Sequence, residues 1–110
     1  MTSTRKVLAQ SSPTTTAEAT VYTCGATLGA VISTLWICNL TSLPVTVTLN
    51  VCVAGTASAP LNTVLKTTTI PANGFLPITA GWTLANTDVI KITVGTANSI
   101  AVTVFGVENS

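Results

Sequence analysis

An all-β fold is what this 110-residue sequence predicts, an antiparallel β-sandwich of about seven to eight strands behind an extended N-terminal arm. Three observations predict it. Runs rich in Val, Ile and Thr alternate apolar and polar residues with period two, the pattern of strands with one buried face. Turn-forming clusters separate these runs every 10–15 residues. No stretch repeats its apolar residues at helical spacing.

The elements follow in order. Ser11 to Thr20 is polar, contains Pro13 and has no periodicity, so residues 1–19 are expected to form an arm, extended or partly disordered, and residues 20–110 the sandwich domain. The first strand is expected over Thr20–Cys24 and the second over Ala30–Cys38. The clearest run is Val45–Val53, where every odd position is apolar and the even ones are Thr, Thr, Asn and Cys. The turn-rich Asn39–Pro44 segment joins these last two runs, and the spacing predicts a hairpin between them. Further strands are expected over Thr63–Ile70, Phe75–Ile78, Val89–Val94 and Ile100–Val107, divided by breakers such as Pro71-Ala72-Asn73-Gly74 and Gly95-Thr96-Ala97-Asn98. Asn73-Gly74 suits a tight turn that needs positive φ. Many short strands with regular turns point to a jelly-roll or immunoglobulin-like sandwich.

Composition then removes function classes. Only seven residues are charged (Arg5, Lys6, Glu18, Lys66, Asp88, Lys91, Glu108), the net charge is +1, and histidine is absent. No nucleic-acid partner is expected, because no cluster of cations is present to meet a phosphate backbone. No membrane partner is expected either, since Thr, Ser or Asn interrupts every apolar run well short of the roughly 20 residues a span needs. After Arg5 and Lys6 the apolar piece is only Val7-Leu8-Ala9, so no secretory signal is expected. At 47% apolar the chain is nevertheless too hydrophobic for a disordered protein.

Catalytic chemistry lacks its usual parts. A serine or cysteine nucleophile has no histidine to activate it, and the three carboxylates sit in an arm, a turn and a tail. Asp88 is expected to satisfy turn amides. The glycines form no phosphate-cradling loop. No enzyme, no cofactor and no metal site are expected. Cys24, Cys38 and Cys52 recur at intervals of 14 residues, without the close pairs of a zinc site. Their odd number excludes complete internal pairing. They read as small buried hydrophobes, with one internal or intersubunit disulfide as the alternative. Asn39-Leu40-Thr41 fits a glycosylation acceptor, read as a chance match without a secretion signal.

Several segments together resemble a family of small tailed-bacteriophage virion structural proteins of about this length. They are Val7-Leu8-Ala9-Gln10 before a Thr-rich arm, Val21-Tyr22-Thr23, Val31-Ile32-Ser33, Ile37-Cys38-Asn39 and the Val45–Val53 run. Near the end come Ile70-Pro71-Ala72-Asn73, Thr83–Ile90 and Phe105-Gly106-Val107-Glu108, so the likeness spans about residues 7 to 108. The resemblance implies a β-sandwich present in many copies on the particle and carries over no catalytic residue. It implies a decoration or cement protein, with a neck or tail position as the other possibility, synthesised in the bacterial cytoplasm. The expected partners are the protein itself, as a homo-oligomer taken to be a trimer, and the major capsid protein or other virion proteins.

One departure from that family marks a surface. Beside the Cys38-Asn39 step, where the resembling sequences tend to be polar, this chain carries Trp36 and Leu40. By alternation Trp36, Cys38 and Leu40 share one face, opposite Leu35 and Ile37. Either both faces are covered within one subunit, or the indole faces outward at a subunit contact. The candidate interface is therefore Arg5, Lys6, Val7 and Leu8 of the arm with Trp36, Cys38 and Leu40 of the sheet. A rival reading is a glycan-binding module at the tail, in which Trp82 beside Gly81 would stack on a sugar; otherwise Trp82 caps the core.

Overall fold

Period-two sequences of β-branched residues bury one face only when a second sheet covers it, and the computed structural model, which describes residues 3–109, contains two such sheets. Nine strands occur among the described residues: β1 Ser3–Ser11, β2 Ala19–Thr23, β3 Gly29–Asn39, β4 Val45–Cys52, β5 Thr63–Ile70, β6 Phe75–Ile78, β7 Trp82–Leu84, β8 Val89–Val94 and β9 Ile100–Asn109. One sheet runs β1-β9-β3-β6, with β7 following β6 along the same edge of β3, and the other runs β2-β8-β4-β5. All pairs are antiparallel. The pairs β1 with β9, β2 with β8, β3 with β6 and β7, and β4 with β5 nest inside one another. That is one long hairpin rolled across two layers, the topology of a jelly roll.

The core is the inner faces of the two sheets. Ile32, Leu35 and Ile37 of β3 with Val102 and Val104 of β9 pack against Val47 and Leu49 of β4 with Ile90, Ile92 and Val94 of β8, and all are buried. At about 25 cal/mol per Å² of apolar surface, each such side chain contributes roughly 1.5–3 kcal/mol by burial.

Two sequence expectations change here. The β3–β4 hairpin does not form, because the two strands belong to different sheets. The segment between them is a corner, and Asn39 builds it. Its buried carboxamide nitrogen donates to the carbonyls of Leu43, Ile70 and Pro71 at 2.9–3.1 Å, while its oxygen accepts from the Thr41 amide and hydroxyl. A residue so engaged cannot carry a glycan without dismantling the corner.

Residues 3–11, expected within an arm over residues 1–19, form β1 along β9 in the register Ser3↔Asn109 to Ser11↔Val102. Met1, Thr2 and Ser110 lie outside the described residues. Between β1 and β2, Ser12–Glu18 has no strand structure, and within it Pro13 is buried while Thr14–Ala17 is bent and exposed. Gly106 sits where the β3 bulge presses on β9, and a Cβ there would collide with the Val31 carbonyl oxygen and meet Leu8 Cδ1 at 3.0 Å. No larger residue fits.

Candidate interaction face

The outer face of the five-stranded sheet follows from its registers, since directly paired residues point the same way. On β3, Leu35 and Ile37 are fully buried, so Trp36 and Cys38 point outward. Trp36 is 37% exposed. Cys38 pairs with Phe75 and Trp36 with Pro77 on β6, which makes Phe75 the diagonal neighbour of Trp36. Their rings stack at 4.6 Å between centroids with 11° between planes. Phe75 remains 56% exposed despite that contact. Toward the other edge, Thr34 pairs with Phe105 and Phe105 with Val7, and both apolar side chains are exposed, as is Val31 farther along β3. Arg5 joins this face through Val107, which pairs with both Arg5 and Val31. Val7, Val31, Trp36, Phe75 and Phe105 thus give one sheet surface an apolar character, with one cation at its rim. A face of this kind has water as its partner within the subunit and gains free energy when something dry covers it.

The candidate residues therefore divide. Arg5, Val7, Trp36 and Cys38 lie together on the outer face. Lys6 and Leu8 turn the other way: Lys6 pairs with Glu108 at 2.7 Å, and Leu8 packs against the core beside Gly106. Leu40 has left the sheet and stands exposed in the corner, its amide bonded to the Ser99 carbonyl. The sequence signal missed Phe75, Val31 and Phe105. Only the remote pairings of β3 bring those strands beside Trp36, and no local pattern announces such pairings.

Lys6 leads to a second cluster, at the end of the sandwich where β1, β2 and β9 meet. Tyr22 donates its hydroxyl to Glu108 Oε2 at 2.6 Å while Lys6 holds Oε1. The hydrogen bonds from Lys6 and then Tyr22 lower the Glu108 carboxyl below its ordinary range. Burial, and then the bond to Glu108, pushes the Tyr22 phenol well up. Burial likewise pushes the Cys24 thiol up, which keeps it protonated and a poor nucleophile.

The remaining polar groups hold the fold. Asp88 accepts from the amides of Ala85 and Ala54, both at 2.9 Å, so it satisfies its turn and also ties down the loop after β4. That loop folds over the outer face of the second sheet, where Asn50 donates to Asn62 Oδ1 and Thr63 Oγ1 and covers a groove of about 400 Å³. Glu18, on the groove wall, accepts from Ser58 and pairs with Lys91 at 3.9 Å. Each carboxylate thus has a structural partner. Cys24, Cys38 and Cys52 are all free thiols; Cys24 and Cys52 are buried, and Cys38 alone reaches the outer face. Trp82 is half-buried, packed against the core across from Ile32, which is the capping role rather than a stacking platform.

No family model matches the chain. No curated protein matches it either. Among solved structures it is similar to one described as the acidic stable capsid structure of Helicobacter pylori bacteriophage KHP30, at 13% identity and a TM-score of 0.55. That likeness covers 99% of this chain and 98% of the other. It shows a shared fold from end to end. Lower similarity is found to the infectious bursal disease virus Gt strain structure, at 11% identity and a TM-score of 0.41 over 97% of this chain and 31% of that one. The cyanophage Pam1 capsid asymmetric unit follows at 20% identity and a TM-score of 0.31, covering 96% and 79%.

Proposed function

We propose that this chain is a non-enzymatic bacteriophage virion structural protein, a decoration or cement protein that binds the capsid in many copies as a homo-oligomer, most simply a trimer. The observation that carries this reading is the outward apolar face centred on the Trp36–Phe75 stack. An exposed stacked aromatic pair on a rigid sheet is a pre-organised anchor, with little side-chain entropy left to lose on docking. The end-to-end fold likeness to a phage capsid structure supports the same reading, as jelly rolls recur in viral shells. Threonine-rich surfaces with few charges suit dense packing of identical copies, because like-charge repulsion stays small.

In this reading the protein lies on the capsid surface, and Arg5 at the rim of the face meets an acidic group of the major capsid protein. Protein stoichiometry of purified particles provides the test, with binding of the free protein to particles stripped of it. Stoichiometric abundance is expected, with attachment lost in the Trp36→Ser, Phe75→Ser double variant while its melting temperature stays within a few degrees. Absence from particles, or attachment undiminished in that variant, overturns the reading.

A further inference from the structure

The strand β1 is held almost entirely by one neighbour. Among the described residues, every hydrogen bond and ion pair of residues 3–13 goes to β9 or the turn before it. These are the β1–β9 ladder, Ser3 to Asn109, Lys6 to Glu108, Ser12 to the Ile100 carbonyl, and the Asn98 amide to the Pro13 carbonyl. The strand inserts little into the core: Leu8 and Ala9 are half-buried while Ser3 to Val7 are exposed.

The link that returns the chain from β1 to β2 is at odds with its own residues. Thr14, Thr15, Thr16 and Ala17 are all bent and exposed. Threonine is stiff at χ1 and favours extended backbone, and three in succession behind a proline resist bending. A strand bound through a transferable set of contacts, and closed back by a bend its sequence disfavours, is the physical setting for exchange between identical chains.

We propose that β1 is an exchangeable strand: Ser3–Pro13 of one copy docks on β9 of a neighbouring copy, and Thr14–Ala17 straightens to carry it there while Glu18 keeps its contacts with Ser58 and Lys91. Residues 1–19 then act as the arm that joins copies, and the partner surface is the β9 edge of a second copy of this chain. The exchanged contacts are those of the closed subunit, so the association gains by relaxing the bend. Extended, the four residues Thr14–Ala17 span about 14 Å, which sets how near the neighbouring β9 must lie. Where copies are crowded on a particle, the high local concentration offsets the entropy of association. This deepens the proposed homo-oligomeric role and rests on it for its biological setting, but its test needs no particle.

The ion pair between β1 and β9 allows a direct test. In Lys6→Glu alone two carboxylates oppose each other at this contact, and in Glu108→Lys alone two ammonium groups do. Mixing the two variants leaves both repulsions in place if every chain keeps its own β1. Exchange restores both attractions at once: the carboxylate introduced at position 6 meets the ammonium introduced at position 108, and native Lys6 of the second variant meets native Glu108 of the first.

The two proteins, one isotopically labelled, are mixed under reducing conditions, warmed to near melting, cooled and weighed by native mass spectrometry. Mixed oligomers are expected to exceed the statistical proportion by roughly tenfold, as two partly exposed ion pairs replacing two like-charge contacts would give. A Thr15→Gly, Thr16→Gly background, in which the bend is relaxed, should lower the total yield of exchanged oligomers while keeping the excess of mixed over self-paired ones, and an undiminished yield overturns the role of the bend. Monomers only, or mixing in statistical proportion, overturns the proposal. Should either variant fail to melt cooperatively alone, recovery of a cooperative melt on mixing supports exchange, and no recovery overturns it. The virion reading is decided separately by copy number in particles, so the two can fail independently.

Discussion

Asn39 accounts for the corner between the two sheets at the scale of one residue. Its amide nitrogen serves three carbonyls from two separate turns, one of those bonds fully buried, and its oxygen organises Thr41. Buried acceptors without a donor cost more than the bonds they lose. Asn39→Ala is expected to lower stability by about 2–4 kcal/mol, and Asn39→Asp at least as much, since a carboxylate would face three carbonyl oxygens. Urea unfolding measures both. The Lys6–Glu108–Tyr22 cluster makes a prediction in pH. Glu108 titrates lower folded than unfolded, so its contribution is complete above the unfolded value of about 4.3 and is lost as pH falls through the folded one. Tyr22 has the opposite sign: its raised value adds stability below the unfolded value of about 10, lost as pH rises toward the folded one. Glu108→Gln should therefore flatten the acid limb of melting temperature against pH, and Tyr22→Phe the alkaline limb. An acid limb unchanged in Glu108→Gln would remove this cluster as its cause.

At the scale of the element, the same rolled hairpin explains both what the sequence discloses and what it conceals. The seven runs with period-two alternation all occur as strands, because each buries one face wherever it is placed. Their partners were not legible. Asn39–Pro44 has the composition of a hairpin turn and serves instead as a crossing between layers, since turn residues report that the chain bends and not which strand it meets. β1 was missed for a related reason. Ser3-Thr4-Arg5-Lys6 has no alternation, because an edge strand whose only half-buried apolar residues are Leu8 and Ala9 needs none. β7, three residues long, is too short to show a period. On the interaction face, Trp36 was legible from its own neighbours, while Phe75, Val31 and Phe105 required a register set by distant strands. The edges matter for stability too. Lys66 and the β5 bulge at Thr67 (φ 45°) blunt one sheet edge, and the short β6 and β7 with Pro77 blunt another. Deleting residues 1–11 would instead uncover the ladder of β9 and the apolar side chain contacts of Leu8. The truncated chain is expected to melt markedly lower and to aggregate on warming, followed by light scattering; an unchanged melt would show β1 to be dispensable to the fold.

For the whole molecule, the decisive quantity is the ratio of apolar contact to charge. Seven charged residues are present in 110, and four of them are already paired within the subunit. Of the other three, Asp88 is held by backbone amides and Lys66 stands on β5 of the opposite sheet, which leaves Arg5 at the rim of the face built from Val7, Val31, Trp36, Phe75 and Phe105. Two driving forces for attachment then make opposite predictions. If cations led, raising the salt from 0.1 to 1 M would shorten the Debye length from about 10 Å to 3 Å and weaken binding steeply. If burial of the apolar face leads, sodium chloride changes little, and sulfate strengthens binding because it is excluded from exposed apolar surface. The second outcome is expected: binding to stripped particles at 1 M sodium chloride within about threefold of that at 0.1 M, since losing one rim ion pair amounts to well under 1 kcal/mol, and tighter binding in ammonium sulfate. Arg5→Gln should remove whatever salt dependence there is and leave the sulfate response unaltered. A tenfold or greater loss of binding at high salt would mean that charge, carried by the partner onto so few residues here, holds the contact, and that the aromatic face serves some other neighbour.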